Sequence, residues 1–252
     1  MLSGKTIFIT GATAGFGLAC AELFTKNGAK VIATGRREDR LEELRKKLGD
    51  NLYTAVMDVR DRDEVNNVIK NLPADFSDVN TLVNNAGLAL GLAPFNEQND
   101  DDMEQMIQTN IMGVLYCTKL LLRGMIEKNN GHIINVSSIA GTYPYPGGNV
   151  YGATKAFVTQ LSLNLRSDLL GKNIRVTNIE PGMAETEFSM VRFAGDRQKA
   201  DNVYKGMKPL SAEDIAQTIL WTISRPQHVN INRVEIMPTN QAFSPFAVNR
   251  NK

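Results

Sequence analysis

The chain has 252 residues, 42% of them hydrophobic and 22% charged, with a formal net charge of +1. That length supports a sizeable core in one large domain spanning residues 1–252, and near-neutrality excludes a general basic field for nucleic acid or anionic lipid. The two cysteines, Cys20 and Cys117, exclude a disulfide framework, and no Cys/His group has metal-ligand spacing, so no metal is expected.

Short apolar runs alternate with longer amphipathic ones. "KTIFIT" (5–10) predicts a buried strand ending at Gly11, and 15–27 predicts a helix with Gly28 as its C-terminal stop. "AKVIAT" is a second strand, "EDRLEELRKKLG" a charged-faced helix, "LYTAVMDV" a third strand and 61–71 a third helix. "VNTLVNN" follows as a strand, then a long helix over about 101–127, then "HIINVSS". A second long helix starts at "NVYGATK", "IRVTNIEP" is the sixth strand, and Ser211 caps the helix "SAEDIAQTILWTIS". "INRVEIMP" closes the set as a seventh strand. Repeated strand–helix alternation predicts an α/β fold: one doubly wound parallel sheet with helices on both faces and ligands at the strands' carboxyl ends. "MLSGKTIFIT" does not read as a leader and no apolar run is long enough to span a bilayer, so a cytoplasmic, reducing setting is expected.

"TGATAGFG" joins the first strand to the first helix. Gly11 permits a tight turn, Gly15 lets a pyrophosphate approach the backbone, and Gly17 lets helix and strand pack closely. The N–H groups opening that helix favour an anion. A plain tight turn is the alternative, and three glycines alone do not decide it. The glycine turn occurs in order with "NNAG" (84–87), Asn110, Ser138 and the Tyr151/Lys155 pair of "NVYGATK". Together these resemble the short-chain dehydrogenase/reductase family over nearly the full length. The resemblance implies a Rossmann-type fold and a nicotinamide cofactor contacted by Gly11, Thr13, Gly15, Phe16 and Gly17. It adds Asp58 at the adenine amino group, Val59, and the backbone of Asn85, Ala86 and Gly87. It also implies Pro181 and Gly182 beneath the nicotinamide and Thr186 at its carboxamide. Asn84 is expected to brace the central strand. Asp58 also reads as an acid opening a helix, and Thr186 as a helix cap.

An acidic residue closing the second strand would accept from a ribose 2′-hydroxyl. "ATGRRED" instead offers Gly35, Arg36 and Arg37, and a guanidinium suits a 2′-phosphate. NADP(H) is expected, with Arg36 nearer the strand end. The other reading is two solvated arginines paired with Glu38 and Asp39.

Tyr151 and Lys155 lie one helical turn apart. A phenol's reference pKa is about 10, and a neighbouring ammonium lowers it. The family resemblance implies Tyr151 as acid/base and Ser138 on the substrate oxygen. Lys155 would bind the nicotinamide ribose, and Asn110 would bend its helix and hold a water leading to Lys155. Ser137 competes with Ser138, but alternation turns it to the other face. His132 and His228 have no partner in view, and no nucleophile elbow supports a hydrolase.

The substrate loop is expected between Met183 and about Lys208. "TEFSMVRFAGD" and "MPTNQAFSPFAV" are similar to a subgroup oxidising 3-hydroxy acids, L-allo-threonine or serine with NADP and reducing malonic semialdehyde. Such a substrate calls for a fixed cation, and Arg192 is the candidate. Tyr145 or Pro144 in "GTYPYPGG" would shape the opposite wall. A β-ketoacyl carrier-protein reductase is the rival enzyme, needing a basic patch that acidic "NEQNDDDMEQ" does not provide. A non-catalytic NADP(H)-sensing protein is the rival of another class. A homo-oligomer, with a tetramer favoured, is implied, and the tail residues Phe243, Phe246 and Val248 are candidates to reach a neighbour.

Overall fold

The computed structural model describes residues 1–244 and 247–250; Phe246 lies outside the described residues. Seven parallel strands form one sheet: β1 (Thr6–Thr10), β2 (Lys30–Gly35), β3 (Leu52–Val56), β4 (Thr81–Asn84), β5 (Gly131–Val136), β6 (Ile174–Pro181) and β7 (Arg233–Ile236). Their order is β3-β2-β1-β4-β5-β6-β7. The chain runs outward from β1 on one side, then returns to β4 and runs outward on the other. The crevice at that reversal lies between β1 and β4, whose registry pairs Ile7 with Thr81 and Ile9 with Val83.

Side-chain alternation along the strands builds a core on each face. Ile7, Ile9, Val31, Ala33, Val83 and Ile134 pack with Phe24, Ile215 and Ile219 on one face. These last three come from α1 (Gly15–Lys26) and α9 (Ala212–Ile223). Phe8, Ile32, Leu82 and Ile133 turn the other way, to Val65, Cys117, Leu121 and Met125. Those residues come from α3 (Arg62–Lys70) and α5 (Gly113–Glu127). α2 (Glu38–Leu48) covers the β2–β3 edge. Cys20 and Cys117 are free and buried, and burial pushes both thiols up.

Most expected elements appear, with shorter ends. The third strand stops at Val56, because Met57 N–H still bonds Gly35 O while Asp58 begins the turn capped by Asp61. The long helix expected over 101–127 is not continuous. α4 (Asp100–Ile107) passes into α5 through a π-turn at Gln108–Met112 that contains Asn110. α6 (Asn149–Asp168) carries Tyr151 and Lys155. Ser211 caps α9 in a reciprocal pair with Asp214. The tail turns back on its own chain: Val248 bridges Gln241, and the Phe243 ring lies 6.1 Å from Tyr143. No helix among the described residues is long and apolar enough to cross a membrane.

Candidate active site

The carboxyl ends of β1 to β6 open onto one cleft, and most residues singled out in the sequence line it; Gly17, Asn110, Tyr145 and Arg192 do not. Gly11, Thr13, Gly15 and Phe16 form its floor beside Arg36, Arg37, Asp58 and Val59. Asn85, Ala86 and Gly87 run along the middle. Ser138, Tyr151, Lys155, Pro181, Gly182 and Thr186 close the far end.

The glycines are set by close approach. A Cβ on Gly11, where φ is +69°, would meet Ala86 Cα at 2.9 Å. Gly17 is not in the cleft wall. A Cβ there would strike the Gly11 carbonyl and Asn85 Nδ2, so Gly17 sets the helix–strand distance. Asn85 Nδ2 donates to Thr10 O at 2.9 Å and Gly11 O at 3.1 Å, pinning the turn. Asn84 braces β4, donating to Asn135 Oδ1 at 2.8 Å and Thr118 Oγ1 at 2.9 Å.

The two arginines after β2 differ. Arg36 is exposed and has no hydrogen-bond or ion-pair partner among the described residues. Arg37 pairs with neither Glu38 nor Asp39. Its Nε and Nη2 donate to Thr13 Oγ1 at 3.0 and 2.8 Å, and its Nη1 to Glu187 at 2.9 Å. Asp58 is held by Arg60, whose Nη2 donates at 2.6 Å. Burial alone would raise the Asp58 carboxyl, but the Arg60 hydrogen bonds and charge keep it below its usual range. The alternative role as a helix acid falls instead to Asp61, which accepts from Asp63 and Glu64 N–H.

The serines separate as alternation predicts. Ser137 is buried, bonded to Lys155 O and Thr159 Oγ1. Ser138 faces the cleft, its hydroxyl accepting from Ala140 N–H at 3.1 Å and donating to Pro181 O at 3.4 Å, and it favours the ionised form of the Tyr151 phenol. Lys155 is buried, donates to Val136 O at 2.9 Å, and sits 5.8 Å from the Tyr151 ring centroid. Burial pulls its ammonium down to about 8.

Lys155 is not among the groups that shift the Tyr151 phenol in this structure. Burial raises the phenol above its ordinary range, and Tyr145 adds to that. Ser138 and the Arg192 charge oppose it. Lys155 is committed to the Val136 carbonyl over the ring face.

Arg192 is not in the cleft lining, but it lies beside Tyr151, which is. It ends the short helix α7 (Phe188–Arg192), and its guanidinium carbon lies 5.4 Å from the Tyr145 ring and 5.5 Å from the Tyr151 ring. It donates to Tyr145 Oη at 2.5 Å and Gly91 O at 3.2 Å. Tyr145 thus holds the guanidinium and, like it, lies outside the cleft lining.

Asn110 spends most of its carboxamide on structure. Nδ2 donates to Leu88 O and Thr154 Oγ1, and Oδ1 accepts from Leu88 N–H. The expected route from its side chain to Lys155 keeps only Oδ1, which shares the space beside Gly87 with Lys155 Nζ. Thr186 also behaves partly as the capping alternative holds: its hydroxyl accepts from Phe188 N–H at 3.2 Å while its Cβ faces Gly15.

Four contributors escape a reading of the sequence: Arg60, Thr154, Glu187 and Phe188. Thr154 donates to the Tyr151 backbone carbonyl and accepts from Asn110, joining the π-turn to the first turn of α6. The Phe188 ring packs 5.6 Å from that of Tyr151. Arg60, two residues from Asp58, carried a local charge signal; Glu187 carried none.

The fit to a dinucleotide rests on the glycine floor, where side chains would block the groove, and on the unpaired Arg36 beside it. Residues 5–197 match the family model described as short chain dehydrogenase. The chain is 53% identical to the NADP-dependent 3-hydroxy acid dehydrogenase YdfG of Salmonella typhi over 246 residues, covering 97% of this chain and 99% of that protein. It is also 53% identical to the serine 3-dehydrogenase of Rhizobium radiobacter over 245 residues, 97% and 98% of the two chains. A solved closed form of serine dehydrogenase complexed with NADP+ superposes with a TM-score of 0.93 at 52% identity, covering 97% of this chain and 100% of that one.

Proposed function

The chain belongs to the short-chain dehydrogenase family, and we propose that it is an NADP-dependent oxidoreductase interconverting the hydroxyl and carbonyl of small 3-hydroxy acids, serine and L-allo-threonine included. The observation that carries the substrate class is Arg192, a cation held between Tyr145 and Tyr151 beside the proton-transfer groups. The relatives named above act on such acids by name.

NADP+, held by the glycine turn and Arg36, would supply the hydride acceptor for the hydroxyl-bearing carbon. Tyr151 Oη takes the hydroxyl proton in oxidation and returns it in reduction. Ser138 holds the reacting oxygen and favours the ionised form of the Tyr151 phenol. Arg192 holds the carboxylate and supplies the positive charge that favours the phenolate. A phenol raised by burial keeps its proton at neutral pH, so oxidation gains with alkali. Lys155 stands over the ring and at the ribose end. Asn110 and Thr154 fix the Tyr151 turn. Arg36 is the free guanidinium for a 2′-phosphate, with Asp58 and Val59 along the adenosine and Thr186 with Pro181 and Gly182 along the nicotinamide.

The whole chain acts as one domain, and we place it in the cytoplasm. Ile126, Phe157 and Leu163 stand exposed on the long helices α5 and α6, which supports association of copies, a tetramer being the favoured assembly. The test is a panel of 3-hydroxy acids and neutral alcohols assayed with NADP+ and NAD+. The expected preference is about tenfold or more for acids and for NADP+, the worth of one charge-assisted bond in each case. Equal kcat/KM for acids and alcohols overturns the substrate class.

A further inference from the structure

Glu187 connects two ends of the cleft that no local sequence signal joins. Its carboxylate lies 2.9 Å from Arg37 Nη1 and 2.7 Å from Arg40 Nη1. Arg37 is anchored in turn on the Thr13 hydroxyl, and Arg40 Nη1 on the Thr13 carbonyl at 3.3 Å. The result is a closed ring of contacts over the glycine turn. One residue before Glu187, Thr186 faces Gly15; one residue after, Phe188 packs on Tyr151. The substrate loop is therefore fastened at the adenosine end by charge and laid against the proton donor by the next side chain. Burial would raise the Glu187 carboxyl, but Arg37 and Arg40 together hold it below its usual range, so it is ionised at neutral pH.

We propose that Glu187 is a positioning residue that latches the substrate loop across the dinucleotide groove onto Arg37 and Arg40, so that a dinucleotide leaves only when this carboxylate lets go. The idea rests on the reading of the groove as a dinucleotide site, but the loop contact itself needs no ligand. One carboxylate shared by two guanidiniums is a small network rather than an isolated surface pair. All three side chains are partly exposed, so the latch should weaken as salt screens it.

Two measurements on the full-length protein test this with Glu187→Gln, which keeps size and removes charge. The first is trypsin cleavage within 183–208 in protein free of dinucleotide. The second is the rate of NADPH release, followed by its fluorescence in stopped flow. The variant should be cut about threefold faster and release NADPH about threefold faster, in keeping with a pair of modest ionic contacts. Raising salt from about 0.01 to 1 M, which shortens the screening length roughly tenfold, should speed release in the parent more than in the variant, where only the Arg36–phosphate contact is left to screen; equal salt responses overturn the latch. An unchanged cleavage rate overturns the latch whether or not NADPH binds. Slower NADPH release also overturns it, because Glu187 would then be competing with the phosphate for Arg37. If NADPH does not bind at all, the functional reading fails while the cleavage rates still decide the latch.

Discussion

Replacing Arg192 with methionine separates the two tasks assigned to it. The guanidinium has five N–H donors, and two are spent on Tyr145 Oη and Gly91 O. Three remain for a carboxylate entering beside Tyr151. A charge-assisted hydrogen bond contributes about 1.5–3 kcal/mol, which is about a 10- to 100-fold rise in KM for a 3-hydroxy acid. A neutral alcohol of similar size loses none of this, and the KM for NADP+ should hold within about twofold because Arg192 lies at the opposite end from Arg36. The second consequence is in the pH profile. Arg192 is a cation that lowers the Tyr151 phenol, so removing it raises that phenol further. Oxidation needs the ionised phenol, so the acidic limb of log kcat/KM for oxidation should move to higher pH. Initial rates on acid and alcohol across pH 6 to about 10, the range spanning the reference values of lysine and tyrosine, give both readouts. An unchanged acid-to-alcohol ratio with an unmoved limb refutes both roles.

Arg36→Ala should raise the KM for NADP+ about tenfold or more and leave that for NAD+ near its parent value, since only the 2′-phosphate is lost as a partner. Equal losses for both cofactors would remove Arg36 from the phosphate site. His132 is fully buried on Thr177, its second ring nitrogen has no partner among the described residues, and burial, with Arg175 and Lys5, holds it well below 6.5. The unfolded chain takes up that proton below pH 6.5 and the folded chain does not. Stability should therefore fall with acid below pH 6.5, by up to about 1.4 kcal/mol per pH unit from this group. Urea unfolding of the parent and His132→Asn at pH 7.5 and 5.5 checks it: the variant should show the smaller difference, and equal differences contradict the assignment.

The sheet was legible because its signals are local. Apolar runs that end at Gly11, at Gly35 or in "NNAG" read as buried strands, and their carboxyl ends placed the cleft. Alternation also separated Ser137 from Ser138, since a one-residue step reverses a strand side chain. The subgroup resemblance was borne out by the 53% identity to the Salmonella typhi and Rhizobium radiobacter enzymes. What was not legible depends on tertiary balance. The helical spacing of Tyr151 and Lys155 gives nearness but not the competition between burial and charge, which goes against the lysine. The π-turn at Asn110 does not show in apolar spacing, because it arises where Leu88 and Thr154 capture the side chain. Glu187 lies about 150 residues from Arg37, and only the folded loop brings them together.

The most direct measurement pairs turnover with binding in Tyr151→Phe, which keeps the ring on Phe188 and removes the proton-bearing oxygen. NADPH affinity, read from its fluorescence, should stay within about twofold. Oxidation of the best 3-hydroxy acid should fall about 10²- to 10⁴-fold, the usual worth of a positioned acid/base. Full activity with intact NADPH binding would contradict the account, because some other group would then be moving the proton.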